Sequence, residues 1–394
     1  MSAPIIPQIV RSFKFRLRPT RAQHRALETI CESQRQLYNA ALAERIDCYR
    51  KTGKSISYFD QCKSLTICRR DNADMGVLPS NLQRATLKRL DEAFQGFFRR
   101  VKTKGKAGFP RFKGQSWWTS FAFGEFSGIT FDGRAIRFNG LSGALRVHTH
   151  RPIHDGKILG CSFKRTVKGW HVSFQVRIGA LRLPTTGASV GIDVGLTHLA
   201  TLSTGEAIPN LRHARRVERA MRVRQRALAR CKRGSANRRK AKERMVRLHA
   251  KVANARDTYL HQVTSRLVRE NDVIAIEDLN VKGLASGMLA KSVNDAAWAK
   301  FRFTLTYKAE GAGRRVIAVD PRNTSQACSC CGVIMKKTLA QRVHSCDKCG
   351  LVLDRDHNAA LNILHRAVVC PGAVNVAQWG ERRRGNVNLE GISK

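Results

Sequence analysis

Hydrophobic and polar residues alternate with a period of two near the start of the chain and then change to a helical period. Phe13, Phe15 and Leu17 alternate with polar side chains, which predicts a half-buried strand over residues 9–17. From about residue 21 the apolar positions recur at three-four spacing, and the same spacing returns over residues 80–101. This spacing is typical of amphipathic helices. The pattern therefore predicts one strand followed by two helical segments.

A second set of strand patterns begins after a pair of tryptophans. Residues 129–138 predict a hairpin that turns at Asp132-Gly133, because this dipeptide favours tight hairpin turns. Residues 172–178 alternate strictly and predict another strand. Residues 183–187 are rich in Pro, Thr and Gly and predict a linker. The simplest arrangement is one β domain whose strands flank a helical insertion.

Beyond the linker, short apolar runs predict strands that alternate with helices. The predicted elements are two short strands over 188–203 joined near Gly195, a long basic helical region over 211–267, short buried strands at 272–277 and 316–319, and a helix at 358–368. Strands interleaved with helices indicate an α/β domain.

The net charge of the chain is unusual, whereas its hydrophobicity is not. The 394 residues are enough for two or three domains, and the hydrophobic content of 42% is ordinary for a globular protein. The 72 Lys and Arg residues exceed the 29 Asp and Glu residues, which gives a net charge of +43. This excess repels itself in a compact fold unless a polyanion neutralises it, so we expect nucleic acid as a partner.

An anionic membrane surface is the rival partner for so basic a chain. The sequence contains no run of about 18 apolar residues, the length that a membrane-spanning helix needs. The N-terminus leads into no apolar segment of the secretory kind. We therefore expect a cytoplasmic protein with no membrane partner.

Two stretches concentrate the basic residues. Residues 211–250 contain sixteen Lys or Arg and two Glu, and residues 96–118 contain seven Lys or Arg, no acid and several aromatics. Basic groups with aromatics suit backbone contacts and base stacking, although a solvated charged face and core aromatics are the alternatives. The candidate nucleic-acid contacts are Arg99, Arg100, Lys102, Lys104, Arg111, Arg222, Arg226, Arg238 and Arg239.

Four cysteines near the C-terminus have the spacing of a zinc site. The pattern Cys-x2-Cys-x14-Cys-x2-Cys is formed by Cys328, Cys331, Cys346 and Cys349, and each pair is followed by glycine. Four thiolates leave no open coordination position, so the predicted Zn²⁺ is structural and not catalytic. A redox or accidental arrangement is the alternative. Cys330 breaks the spacing, and we interpret it as a spare thiol.

Two acidic residues stand at the ends of predicted strands. Asp193 ends an apolar strand just before Gly195, and Glu277 ends the strand at 272–277. Adjacent strand residues point to opposite faces, so only one of Glu277 and Asp278 can share a site with Asp193. We predict Glu277, with Asp278 as a cap or loop residue. The alternative for Asp193 is a solvated turn aspartate.

Two further aspartates, Asp354 and Asp356, precede the helix predicted at 358–368, and either could be its N-cap. A third carboxylate facing two strand-end carboxylates is what divalent-metal phosphodiester cleavage requires. Mg²⁺ prefers oxygen ligands, and three carboxylates can hold two ions about 4 Å apart across a phosphate. We interpret His357 as a polar helix-start residue and not as a ligand. The order Asp, Glu, Asp suits an RNase H-like fold of the RuvC kind, whereas strand-transfer transposases end their triad on glutamate.

These motifs together resemble the TnpB (OrfB) proteins of bacterial and archaeal insertion sequences, which are relatives of the compact type V CRISPR effectors. The matching pieces are Gly191-Ile192-Asp193-Val194-Gly195, Ile276-Glu277-Asp278-Leu279-Asn280, the segments around the two cysteine pairs, and Asp354-Arg355-Asp356-His357-Asn358-Ala359-Ala360. Less specific pieces are Leu37-Tyr38-Asn39 and Gly108-Phe109-Pro110-Arg111-Phe112.

The resemblance implies a transposon-associated, RNA-guided DNA endonuclease. Its implied partners are a guide RNA from the encoding element, a double-stranded DNA target and the displaced single strand, in a prokaryotic cytoplasm and at the nucleoid when DNA is bound. The catalytic and Mg²⁺-binding carboxylates carry over to Asp193, Glu277 and Asp356, with Asp354 as the fallback. A nuclease-inactive RNA-guided regulator and a guide-free basic zinc-ribbon protein are the alternatives.

The resemblance also implies a multidomain α+β architecture. A β-barrel-like wedge domain, a helical recognition insertion, a RuvC-like nuclease domain, an inserted zinc ribbon and a basic, disordered tail are expected. Their predicted bounds are 1–20 plus 118–183, 21–117, 187–327 plus 351–370, 328–350 and 371–394, respectively.

Overall fold

The computed structural model describes residues 8–153, 156–338, 340–369 and 374–375. The chain divides into two compact units, Met1–Gly179 and Ala180–Lys394. Within the described ranges, none of the helices combines the length and the hydropathy needed to cross a bilayer.

The described residues of the first unit form one antiparallel sheet, four α-helices and a short 3-10 helix at Gln115–Trp117. The sheet order is β2-β6-β7-β1-β5-β4-β3. The elements are β1 (Gln8–Arg18), α1 (Arg21–Thr52), α2 (Tyr58–Asp71), α3 (Ala73–Val77), α4 (Ser80–Lys102), β2 (Ser120–Phe123), β3 (Ile129–Phe131), β4 (Ala135–Phe138), β5 (Leu145–His148), β6 (Lys157–Thr166) and β7 (Gly169–Gly179).

Local sequence signals explain where the first long helix begins and ends. Thr20 and Gln23 form a capping box, in which each side chain accepts a hydrogen bond from the other's backbone N–H. Gly53 ends α1 in the left-handed conformation. The strand predicted at 9–17, the helix at 80–101 and the hairpin at 129–138 are confirmed as β1, α4 and β3–β4.

The second unit contains a six-stranded sheet with helices on both faces and a separate two-stranded hairpin. The sheet order is β10-β9-β8-β11-β12-β15. The elements are β8 (Ser189–Val194), β9 (His198–Leu202), β10 (Ala207–Pro209), α5 (His213–Arg216), α6 (Glu218–Arg230), α7 (Ala236–Glu270), β11 (Val273–Glu277), α8 (Val281–Leu284), α9 (Ala290–Ala296), α10 (Trp298–Ala312), β12 (Arg315–Val319), β13 (Val343–Ser345), β14 (Val352–Asp354), α11 (Arg355–Val369) and β15 (Val374–Asn375).

The period-two alternation of the central strands assigns their side chains to two different cores. Strand β11 runs parallel to both β8 and β12. Ile274 and Ile276 pack in the core that contains side chains of α7 and α10. Ala275, between them, packs with Ile363 and Ala367 of α11 on the other face. Both faces of the parallel strands are therefore buried, which explains their continuous apolar sequence.

Helix α11 lies unusually close to β8, and Gly191 permits this approach. A Cβ atom at residue 191 would overlap the Ala360 carbonyl oxygen and lie 2.8 Å from the Leu364 backbone nitrogen. Because backbone atoms cannot move aside as a flexible side chain does, a larger residue would displace the helix. Glycine at this position therefore sets the depth of α11 against the sheet.

Helix α11 begins earlier than the sequence predicts. The predicted start at residue 358 is wrong, because the Asp354 carboxylate accepts hydrogen bonds from the backbone N–H groups of Asp356 and His357 and caps a helix that begins at Arg355. Asp356 consequently lies in the first turn and does not precede the helix.

The tail predicted at 371–394 lies outside the described residues except for Val374–Asn375, which pair with β12. The division into two units gives no boundary within either of them, so the domain bounds predicted from the sequence stay predictions.

Replacing Gly191 with alanine tests the close helix contact. We expect Gly191→Ala to destabilise the second unit by about 1–3 kcal/mol, because overpacking forces backbone shifts, and to lower the midpoint of thermal unfolding. Gly287→Ala is the matched control, since its Cβ atom would meet nothing closer than 3.9 Å. Equal midpoints for the two variants would contradict this account.

Candidate active site and zinc centre

The four predicted zinc ligands lie together. Their sulfur atoms all fall within 4.8 Å of one another. The Sγ atoms of Cys328 and Cys349 are 3.6 Å apart, and those of Cys331 and Cys346 are 3.5 Å apart. Tetrahedral zinc with bonds of about 2.3 Å separates its sulfur ligands by about 3.8 Å, so the cluster fits this ion. The spare thiol Cys330 is exposed and is not part of the cluster.

Each cysteine pair forms a tight turn that closes on glycine. Gly332 donates its backbone N–H to the Cys328 carbonyl at 2.9 Å, and Gly350 donates to the Cys346 carbonyl at 2.8 Å. Both glycines have φ near +70°, at 76° and 71°, a region that disfavours side chains. The backbone N–H groups of Cys349 and Lys348 lower the pKa of Cys346 to about 6, whereas burial and the neighbouring thiols raise the pKa of Cys349 to about 12.

The three predicted carboxylates lie on one face of the six-stranded sheet. Ile192 of β8 pairs with Ile276 of β11, so Asp193 and Glu277 both follow this pair at the carboxyl ends of adjacent parallel strands. Asp193 is two residues beyond Gly191, and Glu277 is two residues beyond Ala275, which contacts α11. The strand period therefore directs both side chains to the α11 face.

Asp356 approaches the same place from the first turn of α11. Burial, and then the neighbouring carboxylates of Glu277 and Asp356, raise the pKa of Asp193 well above its usual range, while Arg355 opposes the shift. Burial also raises the pKa of Glu277. Burial therefore disfavours the charged forms of Asp193 and Glu277.

A hard divalent cation suits this donor set. Among the described residues, the four cysteines are the one group of three or more His, Cys, Asp or Glu side chains placed to hold a metal ion, so the three carboxylates do not form a closed cage around one ion. Mg²⁺ binds through one or two carboxylates, keeps several waters and accepts substrate phosphate as a ligand. An open cluster of carboxylates fits that behaviour.

The two neighbouring aspartates have other partners. Asp278 points away from the α11 face, and its carboxylate accepts a hydrogen bond from Arg302 of α10 at 2.6 Å. The Asp354 carboxylate caps α11 at 2.9 and 3.1 Å from two backbone nitrogens. The His357 ring lies 3.1 Å from the Ser203 carbonyl oxygen. Glu277 and Asp356 are the carboxylates that raise the pKa of Asp193 most, and Asp354 contributes less.

Four side chains near the acidic cluster were missed by the sequence reasoning. The Thr324 hydroxyl donates to the Glu277 carboxylate at 2.5 Å. Asn358, Asn362 and Arg366 of α11 bind the backbone that leads to the first cysteine pair. Their regular four-residue spacing, which puts three polar side chains on one helix face, was the available signal.

The nine basic candidates differ in how free they are to bind a polyanion. Arg238 donates to the carbonyls of Leu228 and Cys231 and so holds the α6–α7 turn, while Arg100 donates to Gly108. Arg222 pairs with Glu218 at 3.2 Å. The exposed candidates are Arg99, Lys102, Lys104, Arg111, Arg222, Arg226 and Arg239.

Comparisons with known proteins identify the family. Family models match residues 172–287 ("Probable transposase", OrfB), 298–363 ("Cas12f1-like, TNB domain") and 9–54 ("Helix-turn-helix domain", OrfB). A Streptomyces pristinaespiralis protein named "Putative RNA-guided DNA endonuclease" is 35% identical over 91% of this chain and 90% of its own length. The chain belongs to the TnpB (OrfB) family.

A second relative and a solved structure agree with this family assignment. InsQ of Escherichia coli (strain K12), which bears the same description, is 30% identical over 92% of this chain and 94% of its own length. The structure titled as a Cas12f1-sgRNA-target DNA complex covers 87% of this chain and 83% of that chain, with a TM-score of 0.56 at 15% identity. This chain therefore shares a mixed α/β fold with the Cas12f1 chain of that complex. The family model named as helix-turn-helix covers β1 and α1, a strand followed by one long helix.

Replacing single cysteines tests the zinc centre. Cys328→Ser should remove bound zinc, because three thiolates and a hydroxyl make a weaker site, and should lower the unfolding midpoint. Cys330→Ser, two residues away, should leave both unchanged. The measurements are zinc content by elemental analysis and thermal unfolding. Equal zinc content in the two variants would contradict the ligand set.

Proposed function

We propose that this chain is an RNA-guided DNA endonuclease that hydrolyses phosphodiester bonds at Asp193, Glu277 and Asp356. The observation that carries the proposal is the approach of these three acids to one face of the sheet, from β8, β11 and α11. Two relatives that match nine-tenths of the chain are named as RNA-guided DNA endonucleases, which supports the same activity.

The surrounding architecture is proposed to be an RNase H-like RuvC domain, residues 187–327 plus 351–370, with a zinc ribbon inserted at 328–350. Three parallel strands with an antiparallel hairpin partner and helices on both faces support this description. A wedge domain, 1–20 plus 118–183, and a recognition insertion, 21–117, are proposed for the N-terminal part of the chain, although the first compact unit ends at Gly179.

Different structural elements fix the positions of the three carboxylates. Asp193 and Glu277 are fixed by adjacent strands, so their separation is set by the backbone of the sheet. Asp356 is fixed by the depth of α11, which depends on Gly191. Bound Mg²⁺ would supply the charge that activates the attacking water and stabilises the leaving oxygen. The chain itself holds the oxygen ligands and, through Arg355, offsets part of their repulsion.

The partners are proposed to be a guide RNA and a double-stranded DNA target. In this arrangement base pairing supplies sequence specificity, and the protein binds the shape and phosphates of the duplex. The net charge of +43 supports a large polyanionic partner. The solved relative's title names an sgRNA and a target DNA, which agrees with this pair.

Two matched substitutions test which aspartate takes part. In the complex purified with its RNA, Asp356→Asn should lower the rate of cleavage of matched duplex DNA by more than about 100-fold. Removing a group that only hydrogen-bonds a metal ligand typically costs about 10–100-fold in activity, and removing the ligand itself should cost more. Asp354→Asn should retain cleavage, because asparagine is an equally good helix cap. The cleavage rate and the amount of RNA that stays bound are measured for both variants.

Three results would contradict parts of this proposal. Full cleavage by Asp356→Asn with loss in Asp354→Asn would move the site to the capping residue. Binding of matched DNA without strand breaks by the unmodified protein would favour a nuclease-inactive regulator. Equal affinity for random DNA, with no co-purified RNA, would favour a guide-free binding protein.

A further inference from the structure

The segment 320–329, which we name the strap, connects β12 with the first cysteine pair and lies along one face of α11. Arg366 donates to the carbonyls of Asp320 and Arg322 at 2.8 and 2.7 Å. The N-terminal end of the strap is therefore attached to α11 by a guanidinium that binds two backbone carbonyls, two residues apart.

Two asparagines continue the attachment toward the zinc centre. Asn362 donates to the carbonyls of Thr324 and Ala327 at 2.8 and 2.7 Å. Asn358 donates to the Ala327 carbonyl at 2.8 Å and accepts from the Ser329 N–H at 2.9 Å. Both asparagines are buried, where an unmade hydrogen bond is costly because no water replaces the lost partner. The strap path is consequently fixed between β12 and the zinc ribbon.

Thr324 is the strap residue that reaches the acidic cluster. It is 3% exposed, and its hydroxyl lies 2.5 Å from a Glu277 carboxylate oxygen. The Pro321 carbonyl, at 3.0 Å, is a second acceptor for the one hydroxyl proton. An ionised carboxylate is the stronger acceptor, so the hydroxyl proton favours Glu277 whenever Glu277 is charged. A hydrogen bond of this kind restricts the rotation of the carboxylate.

We propose that Thr324 is a positioning residue that orients Glu277 for the cleavage reaction, and that α11 holds Thr324 in place through Asn358, Asn362 and Arg366. The zinc ribbon is thereby connected to the catalytic face through the strap. The inference rests on the role of Glu277 in the proposed function. Groups that support a ligating carboxylate typically change metal affinity or activity by about 10–100-fold when they are removed.

The first test removes the hydroxyl and then restores it. In the RNA-bound complex, Thr324→Val should lower the cleavage rate at limiting Mg²⁺ by about 10–100-fold and raise the Mg²⁺ concentration for half-maximal rate. Thr324→Ser, which keeps the hydroxyl, should restore most of the rate. Binding of matched DNA should be unchanged in both. Thr264→Val is the control, because Thr264 is equally buried and its hydroxyl bonds the Leu260 carbonyl and Lys308 and not Glu277.

A loss of activity from poor packing would not be rescued by serine and would not shift the Mg²⁺ requirement. Wild-type cleavage by Thr324→Val, or equal loss in Thr324→Val and Thr324→Ser, would therefore overturn the inference. Glu277→Gln in the same assay separates the two proposals. If Glu277→Gln cleaves normally, the proposed site is wrong; if it is inactive while Thr324→Val is normal, only the positioning role is wrong.

A substitution in α11 tests the helix side of the attachment. It also provides a test of the inference if Thr324→Val does not form the RNA-bound complex. Asn362→Leu keeps a similar volume and removes both bonds to the strap, so it should raise the Mg²⁺ requirement in the same direction. The double variant Thr324→Val/Asn362→Leu should need no more Mg²⁺ than the single variant with the higher Mg²⁺ requirement. Both substitutions act through the orientation of Glu277, so their effects should not multiply. An unchanged Mg²⁺ requirement in Asn362→Leu, or multiplying effects in the double variant, would overturn the coupling.

Discussion

The acidic cluster depends on how closely α11 packs against the sheet. Because Gly191 has no Cβ atom, the backbone of α11 can approach β8 more closely than any other residue at this position would permit. This contact brings the first turn of α11, with Asp356, toward Asp193, two residues beyond the glycine. The helix also carries the asparagines that fix the strap. One backbone contact therefore controls the position of an acid from the helix relative to two acids from the strands.

The role that we assign to the proposed zinc centre is structural. Its four thiolates leave no position for a substrate, and its cysteines are separate from the acidic cluster. Its connection to Glu277 is mechanical, through a strap whose carbonyls are bound by Asn358 and Asn362. A metal of this type stabilises a chain segment that has little apolar material with which to form its own core.

The sequence was sufficient for features that depend on local periodicity or spacing. Strand alternation separated Glu277 from Asp278, and the cysteine spacing predicted the cluster at Cys328. It could not place the start of α11, because capping by Asp354 depends on the geometry of a single turn and extends the helix beyond its apolar pattern. It also missed Thr324, whose importance comes from a contact 47 residues away in sequence. Hydrogen bonds to backbone carbonyls leave no residue pattern at the position that accepts them.

The most direct test of the account uses the unmodified protein with its co-purified RNA. Cleavage of duplex DNA is measured as Mg²⁺ is titrated, with one target matched to the RNA and one unmatched, at fixed salt. The account predicts that strand breaks appear only in the matched target and only when Mg²⁺ is present. Cleavage of both targets, or cleavage that persists after Mg²⁺ is chelated, would contradict it.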